Sequence, residues 1–462
     1  MPSEVKSDPG AAKHQKPISK NHKYPFLALI IVLYLIIAFT YSLLTPAQEA
    51  NDEYDHTLYV EYIVDHHSIP RINIANGDES HQPPLYYISA ALWQNLLQIP
   101  HFALKRLSPN LTPHLPTKPY LGLAHNYTKA ERKDAIYLHE LRILSILFGV
   151  GTIVFTFWAT ETIAKRLSVS LAATSFVALL PKEIVVTSVV TNDSLVIMLC
   201  SLALALTLKW FNCHSQRQRM VIIGALGLVL GAAAITKFNS LPLIILDLII
   251  VIVPSIKSKS WREPLIVITT FLLTSGWWFY HNLTQYGDVL ASKASNYYLS
   301  KAIPNLIHPL PFNLMLRYLV QSAWYDGGGN QLLLSIWVNI ALAILATISL
   351  IGASLYFMKI SRKNYCPRSH KKNKTLSSIL LLSVASGFIA LLIVARDTTQ
   401  AEGRVTYIGL SAFAICLTIG AAFLLQKISI YFKYIGLWMW PVIFGILNTY
   451  IIAHIVYPLR GL

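Results

Sequence analysis

Charge is what this chain has least of. Of its 462 residues only 13% are Asp, Glu, Lys or Arg, against 54% hydrophobic, and a soluble domain of this length cannot cover its surface with so few charges. That excludes a soluble globular protein and leaves an integral membrane one. Acidic residues are scarcer than basic ones, 22 against 38, for a formal net charge of +16. The basic residues fall in short clusters between apolar runs, not along one stripe, so the footprint of a nucleic-acid binder is missing. Only four cysteines are present, Cys200, Cys213, Cys366 and Cys416. Without CxxC spacing they indicate neither a disulfide framework nor a zinc site. Also absent are a glycine-rich phosphate loop, an internal repeat, a heptad run and any low-complexity segment beyond a basic tail.

What the chain does have is long apolar runs. A spanning helix needs about 20 mostly apolar residues. Runs near 25–44, 139–163, 193–211, 220–236, 263–281, 332–358, 376–395, 404–425 and 435–456 meet that requirement. Residues 168–189, interrupted by Pro181, and 240–256, holding the lone acid Asp247, bring the expected count to eleven. The fold class predicted is all-α and polytopic. Residues 1–24 read as a disordered basic cytoplasmic tail and 25–462 as one membrane domain.

The remaining doubtful run, 83–98, is settled by charge. With it kept out of the membrane, Lys165, Arg166, Lys209, Arg217, Arg219, Lys257, Lys259, Arg262 and the cluster from Lys359 to Lys374 share one side with the lysines of the tail. Counting it as a span would place that cluster outside, against the positive-inside tendency. Residues 83–98 therefore read as an interfacial helix, with Pro83-Pro84 in its first turn, where a missing N–H costs nothing. The N-terminus is then inside and the C-terminus outside. Two outer loops follow, about 45–138 and about 282–331.

The first outer loop opens with Asn51-Asp52-Glu53-Tyr54-Asp55-His56, directly after the first span. Carboxylates and an imidazole at that depth can serve as acid and base beside a lipid headgroup. Asp52 and Glu53 are adjacent, so they diverge by about 100° on a helix and only one faces a given reacting atom. The bland alternative is a helix N-cap in a solvated loop. Asp55, His56, His66, His67 and His81 offer further ligand types, but oxygen-rich cation sites recruit more partners than can be identified here. The reading is of a reaction without a cofactor, a divalent cation being the alternative.

Cations collect on the same outer side. Arg142 opens the second span, Lys237 follows the fifth, and Arg396 and Arg404 flank the start of another. Each alone is a snorkelling anchor; together they can surround one phosphate, which suits the planar fork of arginine. Asn192-Asp193 begins a further span on that side, and His281-Asn282 ends another. A transporter would instead place its ionisable groups at the bilayer midplane, whereas nearly all those here lie at outer helix ends; Asp247, inside a span, is a functional candidate by default.

The chain resembles the polyprenyl-phosphate-dependent glycosyltransferases of the GT-C fold, the group around the protein O-mannosyltransferases and the lipid A aminoarabinose transferases. The residues that carry the resemblance are Asp52-Glu53, His81-Gln82-Pro83-Pro84-Leu85-Tyr86-Tyr87, Leu141-Arg142, Pro181 with Thr191-Asn192-Asp193, and Thr236-Lys237. Gly276 to Asn282 and Tyr286-Gly287-Asp288 add to them. Gln400 to Arg404 is similar to a Gln-Gly-Arg-Tyr stretch in relatives, from which it departs by Ala401-Glu402 and Val405.

The resemblance implies transfer of a hexosyl or pentosyl group from a polyprenyl-phosphate donor to an acceptor hydroxyl on a protein, lipid or glycan at the outer membrane face. It makes Asp52 the base, with Glu53 its neighbour. Arg142, Lys237, Arg404 and Arg396 hold the donor phosphate. Asp55, His56, His81, Asn192, Asp193, His281 and Asn282 support them. Partners are membrane lipid, donor and acceptor, with no nucleic acid. A polytopic transporter or another lipid-headgroup transferase is the alternative.

Overall fold

The computed structural model describes residues 23–45, 47, 50, 52–73, 78–101, 129–164, 166–257, 260–302, 308–327, 333–362, 370–398 and 402–456. The expected basic tail, apart from Lys23 and Tyr24, lies outside these residues, as does Cys366. Among the described residues the chain is all α-helical, with one isolated antiparallel bridge, Asp326 to Leu333.

Among the described residues nine helical segments are long and apolar enough to cross a membrane. They comprise α1 (Tyr24–Leu44), α4 (Lys129–Ala164), α7 (Asn192–Asn212), α8 (Gln216–Ala234) and α9 (Leu241–Lys257). Further along follow α13 (Ile336–Ile360), α14 (His370–Asp397), α15 (Leu410–Gln426) and α16 (Phe432–Ile451). A tenth is broken: α5 (Leu167–Leu179) and α6 (Pro181–Thr187) meet at 60°. Pro181 is the cause. It sits in the first turn of α6, and the residue before it, Leu180, is extended with ψ 114°, the conformation a following proline imposes. The broken backbone is satisfied from outside, since Lys182 N–H donates to Trp324 O at 2.9 Å and Asn448 Nδ2 to Leu179 O at 2.7 Å.

The eleventh expected span, 263–281, lies within α10 (Arg262–Tyr286), a helix of sufficient length that is not among those apolar enough to count. Its final third, Trp277-Trp278-Phe279-Tyr280-His281-Asn282, has the aromatic and polar composition of a membrane boundary. The helix stops at Gly287 with φ 69°, the left-handed cap that glycine adopts without cost.

Polar side chains tie the bundle together at depth. Thr156, Ser411 and Ser201 chain hydroxyl to hydroxyl at 2.6 and 2.8 Å across α4, α15 and α7, and Tyr41 donates to Asn448 at 3.0 Å between α1 and α16. Such contacts replace the hydrophobic drive that is lost in lipid. Asp247 belongs with them: it is buried and accepts from Thr207 Oγ1 at 3.0 Å.

Two shorter helices, α2 (Glu53–His66) and α3 (Leu85–Leu97), lie in the first loop. The 13 residues of α3 reach about 20 Å at 1.5 Å per residue, short of the roughly 30 Å hydrocarbon core. It buries Tyr86, Tyr87, Ala90 and Gln94 against the bundle and leaves Leu92 and Leu96 exposed, as a helix lying flat at an interface does. Its first amide, Leu85 N–H, donates to Ile235 O at 2.9 Å. The second loop carries α11 (Ser292–Ala302) and α12 (Phe312–Ser322). Part of each expected loop, residues 102–128, 303–307 and 328–332, lies outside the described residues.

Candidate active site

One end of the bundle gathers the end of α1, the start of α2, the first turns of α7 and α15, and the turn after α8. The hinge of this assembly is a sealed ion pair. Glu53 and Arg142 are both fully buried; Arg142 Nε donates to Glu53 Oε1 at 2.7 Å and Nη2 to Oε2 at 2.6 Å. Nη1 donates to the carbonyls of Ser42 at 2.7 Å and Thr45 at 2.8 Å, where α1 ends. Glu53 Oε1 also accepts Val190 N–H at 3.0 Å. One guanidinium thus joins α1, α2, α4 and the turn before α7.

This placement differs from the roles expected of Arg142 as a phosphate ligand and of Glu53 as a catalytic acid. All three nitrogens of Arg142 donate within the protein and both side chains are fully buried, so the geometry makes the pair a structural joint. A buried bidentate pair is satisfied by itself and carries a large penalty if one partner is lost.

Asp52, one residue earlier, is in the opposite situation. It has φ 60°, a left-handed conformation that aspartate tolerates better than most side chains, and its side chain makes no capping bond to α2. The carboxylate turns outward, 36% exposed, and accepts from Arg404 Nη2 at 2.8 Å. Arg404 lies on the 3₁₀ turn Gly403–Gly409. Gly403 donates its N–H to Ser322 Oγ at 2.8 Å and is pressed so close to Ala323 that an added Cβ would stand 2.5 Å from its Cα. Only glycine lets the turn dock there and fixes where Arg404 emerges.

Arg404 is surrounded by carboxylates. Its Nη1 is 3.5 Å from Asp193 Oδ2 and its Nε 2.8 Å from Glu402 Oε2. Lys237 Nζ donates to Asp193 Oδ1 at 2.7 Å, and Thr191 caps α7 by accepting Asp193 N–H. Burial works against the charge of Asp52, but the Arg404 and Lys237 cations outweigh it and hold the carboxyl below its usual range.

Behind Asp52 lies a polar wall that the sequence reading saw only in part. His56 Nδ1 is 2.9 Å from Tyr87 Oη, and its Nε2 is 3.3 Å from Thr191 Oγ1. Tyr87 donates to Glu79 Oε2 at 3.4 Å and stacks on Tyr59 at 3.8 Å between ring centroids. Asn192 Nδ2 donates to Gln82 Oε1 at 3.3 Å and to Tyr87 Oη at 3.4 Å. Burial pushes the His56 imidazole down to about 3, so it is neutral at physiological pH. Burial and the Asp52 charge push Glu79 well above the usual carboxylate range.

Ligand atoms of Asp52, His56 and Glu79 lie within 4.8 Å of one another. An imidazole and two carboxylates match the donor set of zinc or manganese. The neutral imidazole is ready to ligate, and a cation would compensate the acid crowding that raises Glu79.

The other expected site residues fall farther out. Asp55 is buried on α2, and its charge adds to the crowding on Glu79. His81 Nε2 is 3.0 Å from Gln82 Nε2. His281 stacks on Trp278 at 5.2 Å, and Asn282 donates to Val289 O at 3.1 Å, within the α10 end and its following turn. Arg396 is exposed in the last turn of α14.

Glu79, Glu402 and the pair of Lys182 with Asp326, whose Nζ and Oδ2 are 3.5 Å apart, were not assigned from the sequence. Two signals existed. Lys182-Glu183 interrupts an apolar run immediately after Pro181, and Asp78-Glu79 precedes the paired prolines.

The family model for dolichyl-phosphate-mannose-protein mannosyltransferases matches residues 119–286, a segment that holds Arg142, Asp193 and Lys237 but neither Asp52 nor Arg404. No curated protein matches the chain. Among solved structures, ArnT from Cupriavidus metallidurans in the apo state aligns with a TM-score of 0.50 at 13% identity, over 95% of this chain and 74% of that one. The same protein bound to undecaprenyl phosphate aligns at 0.49 and 14%, over 94% and 74%. The apo oligosaccharyltransferase of Archaeoglobus fulgidus aligns at 0.48 and 12%, over 96% of this chain. This chain spans 56% of the length of that oligosaccharyltransferase. The match to apo ArnT shows a shared fold, the GT-C fold.

Proposed function

We propose that the chain is a membrane glycosyltransferase that moves a hexosyl or pentosyl group from a polyprenyl-phosphate donor to an acceptor hydroxyl, with Asp52 as the base. The observation that carries this reading is the pairing of an outward carboxylate, Asp52, with Arg404 at the end of the bundle where Lys237 and Asp193 converge. The matched mannosyltransferase segment and the undecaprenyl phosphate bound by ArnT support the choice of donor.

In the proposed reaction the acceptor oxygen attacks the anomeric carbon as the bond from that carbon to the phosphate oxygen breaks. The acceptor proton passes to Asp52, and the departing phosphate takes its charge to Arg404 and Lys237. Donor and base are coupled through Arg404. A phosphate that draws the guanidinium away from Asp52 removes the cation that depresses it, so the base strengthens once the donor is bound. Arg142 acts through Glu53: it anchors the first turn of α2 and thereby the left-handed Asp52. A divalent cation on Asp52, His56 and Glu79 would add positive charge beside the phosphate.

We take the N-terminus to be cytoplasmic and this end of the bundle to be on the outer face, a reading the basic clusters support. Reporter fusions after Lys374 and after Leu462 should report opposite sides; an external 359–374 segment would reverse the assignment. For the activity itself, purified protein is incubated with a panel of radiolabelled polyprenyl-phosphate sugars and extracted membrane acceptors. Label transferred by the parent and not by Asp52→Asn supports the reading. Transfer that survives in Asp52→Asn, or release of label only to water, removes it.

A further inference from the structure

The site holds more negative charge than its proposed ligand would tolerate. Glu53 is neutralised by Arg142, and Asp326 lies against Lys182. Asp52, Asp193 and Glu402 stand around Arg404 and Lys237, three carboxylates at ion-pair distance from two cations. A phosphate arriving here meets carboxylates at ion-pair distance from both cations it needs, and like charges brought together repel.

The carboxylates differ in what else they do. Asp52 is the outward acid, Asp193 is anchored by Lys237 in the first turn of α7, and Glu79 shares the Tyr87 hydroxyl. Glu402 stands two residues before Arg404 at the edge of the same 3₁₀ turn, with Oε2 2.8 Å from Arg404 Nε. The other charges facing it are Lys182 at the broken span, Asp326 of the second loop, and Asp52 across the site.

We propose that Glu402 is a resident counter-ion that occupies Arg404 in the empty site and is displaced when the donor phosphate binds, so that it sets donor affinity. The inference rests on the donor-phosphate reading above. Glu402 lies at ion-pair distance from a guanidinium that is only 14% exposed, and an uncompensated charge at that depth is costly. It also makes weak anions poor ligands, since only a phosphate that returns at least the lost ion pair can displace it. Burial together with its acidic surroundings pushes the Glu402 carboxyl up, which eases its departure.

The test measures binding of farnesyl methyl phosphate to the detergent-purified full chain. This probe carries no sugar, and as a phosphodiester it keeps one charge across the working pH. Parent, Glu402→Gln, Glu402→Ala and Arg404→Met are compared by thermophoresis, with monodispersity and melting temperature confirming that each is folded. Glu402→Gln is expected to bind about tenfold tighter than the parent, with Glu402→Ala in the same direction and Arg404→Met much weaker. In turnover the gain should lower KM and leave kcat within about twofold. A glutamate with a merely structural role predicts weaker binding in both Glu402 variants, and that result overturns the inference. If Arg404→Met loses binding while neither Glu402 variant gains, the inference alone fails and the donor reading stands. If Arg404→Met binds as the parent does, both fail.

Discussion

Asp52 and Glu53 are consecutive, both acidic and both paired with an arginine, yet one pair is closed and the other open. Glu53 and Arg142 have no exposure at all; Asp52 and Arg404 keep 36% and 14%. The closed pair is bidentate and fully hydrogen-bonded, so it behaves as a structural joint. The open pair makes a single hydrogen bond, and Arg404 faces two further carboxylates, so it can exchange partners. The chemistry of the side chains does not separate a joint from a reaction centre. Burial and the number of partners do.

The comparison breaks most visibly at the joint. Arg142→Met leaves Glu53 buried and unpaired, which is expected to cost about 3–5 kcal/mol; Arg142→Lys loses the bidentate fork and should also be strongly destabilised. Melting temperature and yield of monodisperse protein measure this. If either variant were stable but impaired only in donor use, the joint would be a phosphate ligand after all.

Next in size is the effect at Asp52. Asp52→Asn should lower turnover about 100-fold or more while melting within a few degrees of the parent, because the amide keeps size and polarity in a partly exposed position. Equal losses of stability in Asp52→Asn and Glu53→Gln would erase the distinction between the two acids.

Arg404→Lys sharpens the open side. The charge stays but the fork that holds Asp52, Asp193 and Glu402 together is lost, so kcat/KM for the donor should fall roughly 10- to 100-fold, the value of one or two charged hydrogen bonds. Progress curves against donor concentration read the change, and a normal kcat/KM in Arg404→Lys would make Arg404 a general cation only.

The smallest effect concerns the wall behind Asp52. Manganese or zinc at ten times its dissociation constant should stabilise the protein by about 1.4 kcal/mol, a shift of a few degrees in melting temperature that Glu79→Gln abolishes. A shift that persists in Glu79→Gln would locate the ion elsewhere.

Much of this architecture was legible in the chain itself. Apolar length and loop charge identified an all-helical membrane protein, placed the first-loop helix 85–97 outside the span count, and put Asp52, Lys237 and Arg404 at the same end of the bundle. These are local properties: about 20 apolar residues span a bilayer whatever surrounds them, and alternating spans carry their ends to alternate sides. Pro181 likewise announced the broken span, because a ring without an N–H disrupts a helix anywhere. The span count itself stood at the edge of what composition can decide, since the aromatic end of α10 is interfacial in character.

Which cation meets which carboxylate belonged to the tertiary structure alone. Glu53 and Arg142 are 89 residues apart, Asp52 and Arg404 352, and the sequence offered four cations at similar depth, with Arg142 ahead of Arg404 because the surroundings of Arg404 depart from the related stretch. Choosing among them takes positions good to about 1 Å, because a guanidinium at 2.7 Å from a carboxylate is a bonded partner and one at twice that distance is a field. Those positions follow from Gly403 docking on Ala323, from the left-handed turn at Asp52 and from the closure of Arg142 over the end of α1. All of these are contacts between distant segments that no local pattern encodes.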